Sequence, residues 1–68
     1  MRKTYLQRYF HAYPDRAISR VGLAEAFRYI PSQFSLHEMI EMGITDGWLS
    51  VNPENGVDFY SLKHTNHE

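Results

Sequence analysis

Three arginines, Arg16, Arg20 and Arg28, are the first side chains in this sequence with a recognisable chemistry. A guanidinium holds phosphate or carboxylate oxygens through paired N–H donors. Arg16 and Arg20 flank Ser19, a good helix N-cap, and so stand beside a helix N-terminus whose free N–H groups favour anions. Arg28 comes at the far end of the same helical segment. Solvated surface arginines would account for the three equally well. Carboxylates form the opposing set. Glu38 and Glu41 lie one turn apart, and Glu54 and Asp58 sit either side of the turn dipeptide Asn55-Gly56. Glu38 and Glu41 read as solvated helix charges, with Glu38 serving a cap, or as a face that docks on a protein. His64 and His67 have a metal-ligand spacing but no third ligand nearby, so neither a metal nor another cofactor is expected. No Ser/His/Asp or Cys/His arrangement, Gly-rich phosphate loop or paired carboxylates in an evident cleft occurs. A domain this small also has little room for a pocket, and catalysis is not expected.

The elements that must position these groups follow from periodicity. Leu36, Met39, Ile40, Gly43 and Ile44 recur at i, i+3, i+4, i+7 and i+8, one face of a helix. His37, Glu38, Glu41 and Met42 lie on its other face. Two N-caps compete: Ser32 directly after Pro31, or Ser35, whose Glu38 three residues on completes a capping box. Gly47 stops the helix. Upstream, residues 3–13 read as a helix with an apolar stripe of Leu6, Tyr9, Phe10 and Tyr13, ended by Pro14. Arg16-Ala17-Ile18 is a candidate edge strand. Arg20 to Tyr29 is a second helix, with Leu23, Phe27 and Ile30 on one face, and Tyr29-Ile30-Pro31 turns into the long helix. Downstream, Trp48 to Val51 and Val57 to Leu62 alternate with period two and form a hairpin. Pro53 implies a loop longer than the two residues Asn55-Gly56 would need. The expected core is Leu6, Tyr9, Phe10, Leu23, Phe27, Leu36, Ile40, Ile44, Leu49 and Tyr60. Trp48, directly after a helix stop, belongs with the core rather than with an exposed anchor, and Tyr5 and Tyr29 are left outside it.

Composition bounds the rest. Sixty-eight residues make one domain, spanning 1–63 with a frayed tail at 64–68, near the lower size limit for unaided folding. Ten aromatics (five Tyr, four Phe, one Trp) and a 43% hydrophobic share demand a packed core. The lack of cysteine, of a membrane-length apolar run and of a signal-peptide pattern leads to the expectation of a cytoplasmic protein that contacts no membrane. Net charge is −1, but residues 1–28 carry six basic side chains against two acidic ones, and residues 29–68 carry one against six. The halves therefore stand at +4 and −5, so only one end of the molecule would meet a polyanion.

Ala12-Tyr13-Pro14-Asp15-Arg16-Ala17-Ile18-Ser19, then Leu23-Ala24-Glu25, the long helix closing on Gly47-Trp48-Leu49, and Phe59-Tyr60-Ser61-Leu62-Lys63 follow one another in a telling order. Over residues 4–63 this order resembles the winged helix-turn-helix superfamily. The resemblance implies an α+β fold of three helices with a short antiparallel sheet and wing. It also implies double-stranded DNA as partner, read by the long helix and the wing, as in a transcriptional regulator or replication accessory of bacterial, plasmid or phage type. The candidate contacts are Arg16, Arg20, Gln33, Ser35 and His37, with Arg28 in support. So few basic contacts imply weak, salt-dependent binding, and a homodimer or a partner domain to reinforce it. This sequence departs from the pattern at Glu38 and Glu41, which repel phosphates, and at a wing tip with Glu54 and Asp58 and no basic residue. The rival reading is a protein-interaction module on the same scaffold. In it Glu38, Glu41, Met42, Glu54 and Asp58 dock onto a basic partner surface, the acidic face even blocking a DNA-binding groove by mimicry, and an exposed Met42 supplies adaptable contact.

Overall fold

The computed structural model describes residues 3–31 and 33–63. It has three helices and a three-stranded antiparallel sheet, an α+β fold in the winged-helix order. Helix α1 (Tyr5–Ala12) begins at Thr4, whose hydroxyl accepts the Gln7 N–H at 3.2 Å. Its Leu6 and Phe10, one turn apart, are fully buried. The short strand β1 (Ala17–Ser19) leads directly into α2 (Arg20–Ala26), capped by the Ser19 hydroxyl on the Gly22 N–H. Helix α2 is shorter than its apolar pattern suggests. It closes at Phe27, and Tyr29 and Ile30 lie in the turn beyond, both exposed.

Helix α3 (Leu36–Asp46) starts at Ser35. The Ser35 hydroxyl accepts the Glu38 N–H at 3.1 Å and the Glu38 carboxylate accepts the Ser35 N–H at 2.8 Å, a complete capping box. The other candidate cap, Ser32, lies outside the described residues, as do His64, His67 and the rest of the 64–68 tail. Gly47 ends α3 in the left-handed region at φ 86°, and its N–H returns to the Gly43 and Ile44 carbonyls. The chain then doubles back tightly. A Cβ placed on Gly43 would come within 2.8 Å of the Trp48 ring and 2.9 Å of the Leu49 Cβ, so glycine is what lets the returning chain lie on the helix.

Strands β2 (Leu49–Glu54) and β3 (Val57–Leu62) pair from Glu54 with Val57 to Leu49 with Leu62, and β1 adds to the other side of β3. The hairpin loop is the two-residue Asn55-Gly56, both at positive φ (54° and 79°), the geometry of a type I′ turn. The longer loop inferred from Pro53 is therefore not formed. In such a hairpin the closing pair is hydrogen-bonded and pairs alternate from it. The Lys63 N–H to Trp48 carbonyl bond of 2.7 Å continues that alternation. Pro53, opposite Asp58, falls on a non-bonded pair, where its nitrogen faces away from β3 and no ladder bond is lost. On the outer edge of β2 it also removes a donor that a further strand would need.

The core lies between the helices and one face of the sheet: Leu6, Phe10, Leu23, Met39, Ile40, Leu49 and Tyr60, with Tyr9, Ile18, Phe27, Phe34, Leu36, Trp48 and Leu62 packed around it. Three expectations fail here. Ile44 is 43% exposed and is no core residue, while Met42, expected outside, is half-buried. Both sit on flanks of the α3 stripe, and the helix is rolled so that the Met42 flank turns inward. Tyr13, placed in the α1 stripe, is likewise exposed, because the helix ends before it and it serves as the C-cap.

Candidate functional site

The roll of α3 sets its outward face. His37, Glu41 and Ile44 follow at i, i+4 and i+7, flanked by Glu38 and Thr45, and all are exposed. Ile44 is thus presented to solvent beside the Glu41 carboxylate, and Asp46 is exposed at the helix end. Glu38 is tied into the cap, while Glu41 has no partner among the described residues. Met42 does not join this face. On the hairpin, Asp58 shares the sheet face of Val51 and Tyr60, on which α3 packs, whereas Glu54 lies on the opposite face with Phe59. Both carboxylates are exposed, but the pleat sends them to different sides.

The structure separates the candidate cations instead of gathering them. Arg16 and Arg20 stand at opposite ends of β1. Arg16 turns back onto α1: its Nη1 donates to the Tyr9 hydroxyl at 3.0 Å, and its guanidinium lies 4.4 Å from the Tyr13 ring centre. Tyr9 is itself edge-on to Phe10 and Phe27, at 5.3 and 5.5 Å, so Arg16 is anchored to the core through one ring. The hydrogen bond to Tyr9 raises the Arg16 pKa further, and its charge is permanent. Arg20 follows Ser19, whose partner on β3 is Phe59, and it forms no ion pair among the described residues. Arg28 is paired with Glu25 at 3.5 Å and leans on Tyr29 at 5.6 Å. Of the helix-entry residues, Ser35 spends its hydroxyl as the cap, and Gln33 and His37 are exposed with no hydrogen-bonded partner among the described residues.

Two features escaped the sequence reading. One is the exposed Ile44, signalled only by its i+3 relation to Glu41. The other is a stripe of stacked arginine and tyrosine along α1: Arg8 over Tyr5 at 5.9 Å, then Tyr9 and Tyr13 under Arg16. The Tyr5 and Arg8 spacing signals the first pair, but nothing in the sequence brings Arg16 back to Tyr9.

An open depression of about 410 Å³ beside the stripe is lined by Ala12, Tyr13, Pro14, Asp15 and Arg16. Asp15 sets a negative charge in it, against an anionic ligand. Among the described residues no three His, Asp or Glu side chains converge on a point where a metal would sit, and no helix is long and apolar enough to cross a membrane. No family model, curated protein or solved structure matches this chain.

Proposed function

We propose that this chain is a protein-interaction domain on a winged-helix layout, docking through the outward face of α3 and the wing onto a basic protein surface. One observation carries the reading: His37, Glu41 and Ile44 form the outward stripe of α3, and no cation lies on α3 or on the hairpin strands. Nucleic-acid affinity is supplied largely by neutralised phosphates, and a face whose charges are carboxylates supplies none. An exposed isoleucine beside the unpaired carboxylate of Glu41 instead fits a small apolar pocket edged by lysine or arginine. No catalytic role is assigned.

The experiment is site-specific crosslinking in the source cell, with a photoreactive residue in place of the exposed Thr45. The expected adduct is digested by protease, resists nuclease and disappears when Glu41→Lys is added. A nuclease-sensitive adduct would overturn the reading in favour of double-stranded DNA. That second reading is favoured by Gln33 and His37 around the segment that enters α3 and by Arg20 at the start of α2, all exposed and free of ion pairs or hydrogen bonds to described side chains. Under it the protein would be a small regulator or replication accessory.

A further inference from the structure

The Arg–Tyr stripe of α1 has no role in the docking reading, and only its Arg16 was a candidate contact in the DNA reading. It is a surface of hot-spot composition: Tyr5 and Tyr13 are 43% and 48% exposed, each with a guanidinium against its ring. Tyrosine and arginine are the residue types enriched where binding energy concentrates. Stacking has already removed much of the rotational freedom of Arg16, so its N–H donors are held ready for a carboxylate at small further entropic cost. Such a surface calls for a partner with an exposed carboxylate beside an apolar contact.

The face of α3 meets that description, and it belongs to the same chain. Lys3, Arg8, Arg16, Arg20 and Arg28 lie in residues 3–31 against Asp15 and Glu25, while residues 33–63 hold Lys63 against Glu38, Glu41, Asp46, Glu54 and Asp58. The two poles leave each other unsatisfied within one molecule: the ion pair found among the described residues, Arg28 with Glu25, joins neither the stripe to α3 nor the stripe to the wing. A net charge of −1 leaves almost no repulsion between copies. We propose that the Arg–Tyr stripe of one copy takes the Glu41–Ile44 face of a second copy. The contact is heterologous, head to tail, so each joint leaves one free stripe and one free acidic face and the assembly can extend. This rests on the reading of the α3 face as a docking face, and makes a second copy its first partner.

Sedimentation velocity and dilution NMR on the intact chain test it. At about 1 mM protein and low salt, where the screening length is near 30 Å, the average mass should exceed that of a monomer. A dissociation constant of roughly 0.1–1 mM is expected, weaker than the micromolar limit of standard-size interfaces. At about 1 M salt, with screening near 3 Å, the protein should be monomeric. Amide shifts on dilution should concentrate at Tyr5, Arg8, Tyr13 and Arg16 and at Glu41 and Ile44. Arg16→Glu and Glu41→Lys, both at exposed positions, should each weaken association at least tenfold, and an equimolar mixture of the two should associate again, because each keeps the pole the other lacks. A wild-type protein that stays monomeric at low salt overturns the proposal, as do dilution shifts elsewhere on the molecule or a mixture that does not recover. A short oligolysine peptide separates the two claims. If the chain is monomeric but the peptide shifts Glu41 and Ile44, self-association fails and the docking face stands. If the peptide leaves those residues unmoved, both fail.

Discussion

The outward faces of α1 and α3 are both charged and both carry exposed apolar groups, yet they are finished in opposite ways. On α1 each exposed tyrosine has a guanidinium laid on its ring, and Arg16 is further fixed by the Tyr9 hydroxyl. On α3 Glu41 and Ile44 are exposed side by side with nothing holding either. The first face is pre-organised, and the second is unsatisfied. Exposure alone therefore does not mark a binding surface; what matters is whether the exposed groups are held ready for a partner or still lack one.

The widest test of this contrast sets the two isoleucines of α3 against each other. Ile40 is 2% exposed and Ile44 is 43% exposed on the same helix. Ile40→Ala should cost about 2–5 kcal/mol in a denaturant titration, enough to unfold most of a marginal domain, while Ile44→Ala should stay within about 0.5 kcal/mol. Equal losses would mean that α3 is not rolled as described and that its outward face is part of the core.

A smaller effect is expected at Gly43. The added methyl of Gly43→Ala meets Trp48 and Leu49, so the chain leaving α3 must shift, at a cost of about 1–3 kcal/mol in thermal unfolding. Retained stability would mean that the hairpin can move relative to α3, and the geometry of the docking face would loosen with it.

Smaller again is the cap. Ser35→Ala should cost about 1 kcal/mol, and Glu38→Gln, which preserves the capping-box side chain, only a few tenths. The pair sharpens the account of Glu38, whose carboxylate belongs first to the helix start. Charge-reversal tests of the outward face therefore belong on Glu41, with Glu38 changed only to glutamine.

Much of the fold was legible because it rests on local chemistry. Ser19 capping α2 and Gly47 closing α3 need no tertiary information, and the Ser35–Glu38 box that opens α3 was one of two local start signals. What was not legible depends on contacts. Ile44 and Met42 occupy opposite flanks of one stripe, and only the surface beneath α3 decides which flank turns inward. Pro53 looked like a loop residue because its tolerance depends on which pairs of the hairpin are hydrogen-bonded, a matter of register. At the candidate site, Arg16 was grouped with Arg20 by sequence proximity. A strand sends the two to opposite ends, and the return of the chain after Pro14 delivers Arg16 to Tyr9 instead.

The most direct measurement of the central claim is a fluorescence titration of double-stranded DNA at about 50 mM salt, comparing the wild-type chain with a Glu38→Gln, Glu41→Lys variant. If α3 and the wing are a protein-docking face, the wild-type chain shows no measurable binding and the variant gains affinity as phosphate repulsion is removed. Wild-type binding that is saturable, falls steeply with salt and is lost on Arg20→Ala would contradict the account.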